Sequence, residues 1–217
     1  LELPSRSPVP AHTVRAFERI RPELESVPRF VLDSGCGDGY GSAWLAREHP
    51  DALIVGIDRS AARLARAHPH ARVHLVRAEI AGFWRLLRES RLSPTHHYLL
   101  YPNPWPKPGQ FGRRWHAHPA FADLLALGGA FELRSNWRIY VEEFGAALGL
   151  FDIAASIEST EGEPITRFER KYRASGHTLW RLSARLDGKD AQRMTSRITS
   201  SSGSACSAST IGADSAS

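Results

Sequence analysis

Asn103 stands between two prolines in Tyr101-Pro-Asn-Pro-Trp-Pro-Lys107, and Phe111-Gly-Arg-Arg-Trp-His116 follows closely. The flanking prolines remove backbone donors and stiffen the turn, so the Asn amide is held at a fixed angle. An amide, two aromatics and a basic cluster just past an apolar strand suit a planar, charged ligand. Earlier in the chain comes a second group, Asp33-Ser-Gly35-Cys-Gly37-Asp-Gly39, and a third in Val55-Gly-Ile-Asp58. Glycines let the backbone turn sharply and approach a ligand closely. The dinucleotide fingerprint needs a further Gly three residues after its second, and those places hold Tyr40 or Ser42.

That departure shifts the chemistry away from a pyrophosphate. A carboxylate at Asp33 repels phosphate and attracts an ammonium group. S-adenosylmethionine carries an amino acid and a sulfonium instead of phosphates, so Asp33, Gly35, Gly37 and Gly39 are read as its loop. Asp58, ending the second strand, is placed to accept hydrogen bonds from two ribose hydroxyls. Glu79 follows the third strand and has two readings, a contact near the adenine amine or a helix-start residue favoured by the dipole.

The elements that position these residues alternate. Phe30-Val-Leu, Leu53 to Ile57, Val73 to Val76, Tyr98 to Tyr101 and Phe131-Glu-Leu read as strands. Helical stretches lie at Tyr40–Glu48, Ser60–Ala67, Ile80–Glu89, Pro119–Leu127 and Trp137–Leu148. Strand then helix, repeated, predicts a doubly wound, mostly parallel α/β sheet with ligands at the C-terminal strand ends. Two last runs, Phe151–Ile157 and His177–Leu186, show no helix between them and are expected to pair antiparallel at an edge, giving seven strands in a Rossmann-like sheet. Residues 1–28 form an N-terminal segment whose helix, Ala11–Leu24, would cover the crevice; 29–187 form the main domain. From Gly188 the chain is Ser-rich without apolar periodicity and is expected to be disordered.

Composition narrows the class. With 217 residues, 42% hydrophobic and 24% charged, one core is expected. No apolar run approaches the roughly 18 residues needed to span a bilayer, and Leu1–Pro10 lacks a signal-peptide core, so a cytoplasmic protein without membrane contact is expected. The absent initiator Met points to a trimmed or incomplete N-terminus. Cys36 and Cys206 lie far apart, and His96, His97, His116 and His118 have no Cys nearby, so neither a disulfide nor a metal is expected. His116 and His118 read as extending the basic loop, and His97 as packing at its strand.

Net charge is +5, but Tyr101–His118 carries three Lys/Arg and no acid, and Thr166–Arg185 six against one Glu. The basicity is therefore concentrated, as on a polyanion-binding face, with Trp105, Phe111, Trp115, Phe168 and Tyr172 interleaved to stack on bases. With no acid between Tyr101 and His118, Arg113 and Arg114 read as phosphate contacts. Trp137 and Tyr140, three apart, read as a core pair.

With these residues in hand, the chain resembles the bacterial tRNA (guanine-N7-)-methyltransferase family from about Phe30 to Leu186. The likeness rests on Pro102-x-Pro-Trp105-x-Lys107 with its trailing Arg pair, and on Thr166-Arg-Phe-Glu169. It implies a class I methyltransferase fold, S-adenosylmethionine as cofactor and tRNA as partner. By position it puts Asp33, Asp58 and Glu79 at the cofactor and Asn103 between cofactor and base. Lys107, Asn136, Thr166 and Glu169 would touch substrate. The family usually has Asp where this chain has Asn103 and Asn136. An amide brings no charge to balance a cationic N7-methyl product, unless Glu169 supplies it. Asn103-Pro-Trp also resembles the Asn-Pro-Pro-aromatic turn of amino-group methyltransferases, which is the runner-up reading; a binding protein without turnover is the third. A monomer is favoured.

Overall fold

The computed structural model describes residues 7–68 and 70–187. Continuous apolar runs build the centre of the sheet, because parallel strands covered by helices on both faces have no solvent side. β1 (Phe30–Ser34) and β2 (Leu53–Asp58) are buried at every position. With β3 (Val73–Arg77), β4 (His96–Leu100), β5 (Gly129–Ser135), β6 (Ala155–Ser159) and β7 (Trp180–Leu186) they form one sheet in the order β3-β2-β1-β4-β5-β7-β6. All pairs are parallel except β5–β7 and β6–β7. The chain direction across the sheet reverses between β1 and β4. At such a switch point the loops after adjacent strands diverge and leave a crevice.

The helices α2 (Tyr40–Glu48), α4 (Ile80–Glu89), α5 (Phe121–Leu127) and α6 (Arg138–Gly149) fall where the apolar periodicity puts them, within a residue or two. Phe83, Trp84 and Leu87 of α4 are fully buried with Phe131, Tyr140 and Phe144 in the main core. A polar tie runs beneath the switch point: Trp84 Nε1 donates to Ser34 Oγ at 2.9 Å, and His97 Nε2 lies 2.9 Å from the same oxygen. Burial pushes His97 down to about 3, so it is neutral and packs at its strand. Tyr140 is core as expected, but Trp137 is more than a third exposed at the start of α6, which corrects the pairing of the two.

Three sequence expectations are revised. α1 (Ala11–Ser26) packs through Phe17, Ile20 and Leu24 into the same core, beside α4 and β3. It does not line the crevice; its tie to the site is Thr13 Oγ1, which accepts from Glu79 N at 2.9 Å. α3 is one turn, Ala61–Leu64, rather than the longer stretch. A helix, α7 (Arg167–Ala174), stands between β6 and β7. Five of its eight residues are charged and Phe168 and Tyr172 are its only large apolar side chains, too few for a stripe to betray it, but Thr166-x-x-Glu169 is a capping pattern: Thr166 Oγ1 accepts from Glu169 N at 3.0 Å. The Ser-rich segment, 188–217, lies outside the described residues. No helix among the described residues is long and apolar enough to cross a membrane.

Candidate active site

A crevice of about 590 Å³ opens at the C-terminal ends of β1, β2 and β4. Ser34, Gly35, Asp58, Glu79, Tyr101, Asn103, Trp105, Arg113 and Trp115 line it. A smaller one of about 250 Å³ adjoins it through Gly35, Arg63 and Tyr101, and is lined by Asp33, Gly37, Tyr40, Thr166 and Phe168. The loop glycines divide by role. Gly35 and Gly37 have φ of +85° and +64°, and a Cβ on either would meet open space or only the tip of Ile80. Their backbones therefore face the crevices. Gly39 lines neither; a Cβ there would lie 2.7 Å from Leu75, so it is kept for helix–strand packing, a correction to its reading as a ligand contact.

Asp33 is buried, with Ser42 Oγ donating to its Oδ2 at 2.6 Å. Burial pushes its pKa up to about 6; the Ser42 hydrogen bond lowers it and nearby Asp58 raises it further. At pH 7 it is mostly ionised, ready for an ammonium group, and near pH 5 mostly protonated. Cofactor affinity is thus expected to rise between pH 5 and 7, and Ser42→Ala to move the midpoint upward. Calorimetry across that range checks this; a flat profile in the wild type would take Asp33 out of ammonium binding.

Asp58 is also buried. Its Oδ2 accepts from Gly37 N at 3.0 Å, and its Oδ1 accepts from Ser60 N at 2.7 Å and pairs with Arg63 at 3.0 Å. Glu79 realises the helix-start reading: its two oxygens accept from Ala81 N at 3.1 Å and Gly82 N at 2.6 Å while its side chain edges the larger crevice. A carboxylate at the end of β2, an open glycine backbone and a buried acid that favours ammonium fit S-adenosylmethionine. Pyrophosphate would face Asp33 and Asp58, both buried, and Arg63, which lies at both crevices, is already paired with Asp58.

The Asn103 turn is strained at both ends, with φ of +53° at Tyr101 and +46° at Trp105. Such conformations cost of order 1–3 kcal/mol each and persist only where surroundings impose them. At Tyr101 the backbone N–H is held by Arg134 O at 2.8 Å, and at Trp105 the constraint comes from Arg114. It is 8% exposed, ion-paired with Glu143, and its Nε and Nη2 donate to Trp105 O at 3.3 and 3.2 Å. Arg114 is therefore a positioning residue and not a phosphate contact; the acid that neutralises it comes from α6, outside the segment in which none was found. Arg113 is exposed, over the Trp105 ring at 4.9 Å. Asn103 is exposed, and its Oδ1 accepts from Trp105 N at 3.2 Å, which leaves the amide NH₂ facing outward as donor.

Glu169 is corrected as well. It is 0% exposed, accepting from Arg134 at 3.1 Å, Arg173 at 3.4 Å and Ile165 N at 3.0 Å, so it cannot replace the carboxylate missing at Asn103. Thr166 borders the smaller crevice, whereas Lys107 and Asn136 line neither: Lys107 is exposed beside a 3-10 turn (Pro108–Arg113) and Asn136 half-buried after β5. His116 and His118 do not extend the basic loop; burial lowers both, His116 to about 4. Arg185 lies at the opposite end of the sheet, in a depression with Arg29 and His96, so the second basic segment does not all face the site. Sequence reading missed Ser42, Arg63 and Arg134. Arg134 carries a signal that was legible, a charged residue inside a core strand, which requires acidic partners. Among the described residues no group of three or more His, Cys, Asp or Glu could hold a metal ion.

Comparison with known proteins agrees with this geometry. Residues 28–182 match the family model described as "Putative methyltransferase". The chain is 31% identical to the tRNA (guanine-N(7)-)-methyltransferase of Halorhodospira halophila over 74% of this chain and 76% of that protein. It is 29% identical to that of Nitrosococcus oceani over 70% and 69%. Among solved structures it is similar in fold to an antibiotic-related methyltransferase (TM-score 0.57, 15% identity, covering 78% of this chain and 94% of that one). It is likewise similar to the 16S rRNA methyltransferase KamB (TM-score 0.55, 18% identity, 79% and 92%).

Proposed function

Because this chain belongs to the tRNA (guanine-N7-)-methyltransferase family, we propose that it transfers a methyl group to N7 of a guanosine in tRNA. S-adenosylmethionine supplies an electrophilic methyl group when bound. Guanine N7 has an in-plane lone pair, so no residue need remove a proton. What the chain contributes is alignment and exclusion of water. Asp33 receives the ammonium end, Asp58 the ribose, and Glu79 edges the adenine region. Asn103 offers its NH₂ toward the base, where guanine O6 is an acceptor beside N7. Thr166, Lys107, Asn136 and Arg113 complete the substrate side, with tRNA as polyanionic partner. A tRNA substrate favours a cytoplasmic location, and a monomer is the favoured assembly.

The observation that carries this reading over amino-group transfer is the Asn103–Trp105 turn. An exocyclic amine needs the amide oxygen as acceptor, and Trp105 N already holds one of that oxygen's two acceptor positions, which turns the amide so that its NH₂ is the group offered to the base. Asn103→Asp is the test. A carboxylate would stabilise the cationic product once bound tRNA covers Asn103 and excludes water, so turnover on tRNA is expected to rise. Abolished activity would favour the amino-group reading; no activity before or after, with cofactor still bound, would favour a binding protein.

The two adjacent arginines should separate. Arg113→Ala is expected to weaken tRNA binding and make its salt dependence shallower by about one phosphate contact, with stability unchanged. Arg114→Ala should destabilise the fold by roughly 2 kcal/mol, less than the 3–5 of a fully buried pair because Glu143 keeps some water. Filter binding across salt and thermal melts check both. Equal effects of the two variants would contradict the assignment.

A further inference from the structure

Asp58 is already engaged in the structure, and how it is engaged limits what it can hold. Each carboxylate oxygen has two in-plane acceptor positions. Oδ1 accepts from Ser60 N at 2.7 Å and has the Arg63 guanidinium ion-paired against it at 3.0 Å, which together cover it; Oδ2, among the described residues, accepts from Gly37 N alone, at 3.0 Å, leaving one position. A ribose diol gripped by both oxygens needs one position on each. Of the three partners, two are backbone N–H groups fixed by the loop and by the start of α3. The third, Arg63, has a side chain 47% exposed on a single-turn helix and is the one free to leave.

We propose that Arg63 is a latch on Asp58, which competes with the cofactor ribose for Oδ1 and swings out when the cofactor binds. This rests on the reading of Asp58 as the ribose ligand. Arg63 borders both crevices, so the released guanidinium has room at the rim between them. With the latch closed, the carboxylate is neutralised and the glycine loop stays tied to the end of β2 through Gly37. The cost is affinity, because every molecule of cofactor must first displace the guanidinium.

Calorimetry on the full chain tests this with four ligands: S-adenosylmethionine, S-adenosylhomocysteine, 5′-methylthioadenosine and the 2′-deoxy form of the last. Arg63→Ala and Arg63→Gln are expected to bind the first three about threefold to fivefold more tightly, the range of a half-exposed ion pair, and to gain nothing for the 2′-deoxy compound. Unchanged affinities would overturn the latch. So would a gain confined to S-adenosylmethionine, which would mean relief of charge at the sulfonium. Weaker binding of the two amino-acid ligands alone would also overturn it, since Arg63 would then be a carboxylate contact. Asp58→Asn separates the two levels. If it weakens binding while the Arg63 variants change nothing, the latch fails and the ribose reading stands; if it changes nothing, both fail.

Discussion

Glu169→Ala is expected to remove about 3 kcal/mol of folding stability. Taking one partner from a buried ion pair leaves the other charged and poorly solvated, which costs roughly 3–5 kcal/mol. Arg134, 8% exposed, would keep Glu132, at 2.6 Å from its Nε, so the lower end applies. Ile165 N and Arg173 would lose their acceptor as well, freeing the start of α7 and with it Thr166 at the smaller crevice. Urea denaturation reads the loss as a lower midpoint at constant slope. A variant that folds as stably as wild type and loses only RNA binding would return Glu169 to the substrate surface.

Asp58→Ala is expected to weaken S-adenosylmethionine binding by at least tenfold. Two hydrogen bonds to a charged acceptor are worth roughly 1.5–3 kcal/mol each, and release of Arg63 recovers only part of that. Calorimetry decides it, with Asp58→Asn as the control that keeps the shape of the site beside Gly37 and Ser60. An unchanged dissociation constant would remove Asp58 from the cofactor site.

Strands and crossover helices were legible because burial on both faces leaves continuous apolar runs, as in Leu53–Asp58, and amphipathic spacing, as in Phe83, Trp84 and Leu87. α7 was not, because its stability comes from a cap and ion pairs and not from an apolar stripe; Arg167 pairs with Asp38 at 2.8 Å and Arg173 with Glu169. The grouping of Asp33, Gly35, Gly37 and Asp58 around the crevices was readable from local spacing, since they lie where their own strands end. The substrate side was less so. Whether Arg114 or Glu169 faces solvent depends on partners far along the chain, Glu143 and Arg134, and nothing local distinguishes Arg114 from Arg113. The same holds for His116, made neutral by the packing around it.

The most direct measurement is product identity. The chain is incubated with radiolabelled S-adenosylmethionine and total tRNA, the RNA is digested to nucleosides, and the labelled nucleoside is identified by chromatography. Label in 7-methylguanosine is the expected result. Label in an exocyclic-amine methylated nucleoside, or cofactor bound with no label in RNA, would contradict the account.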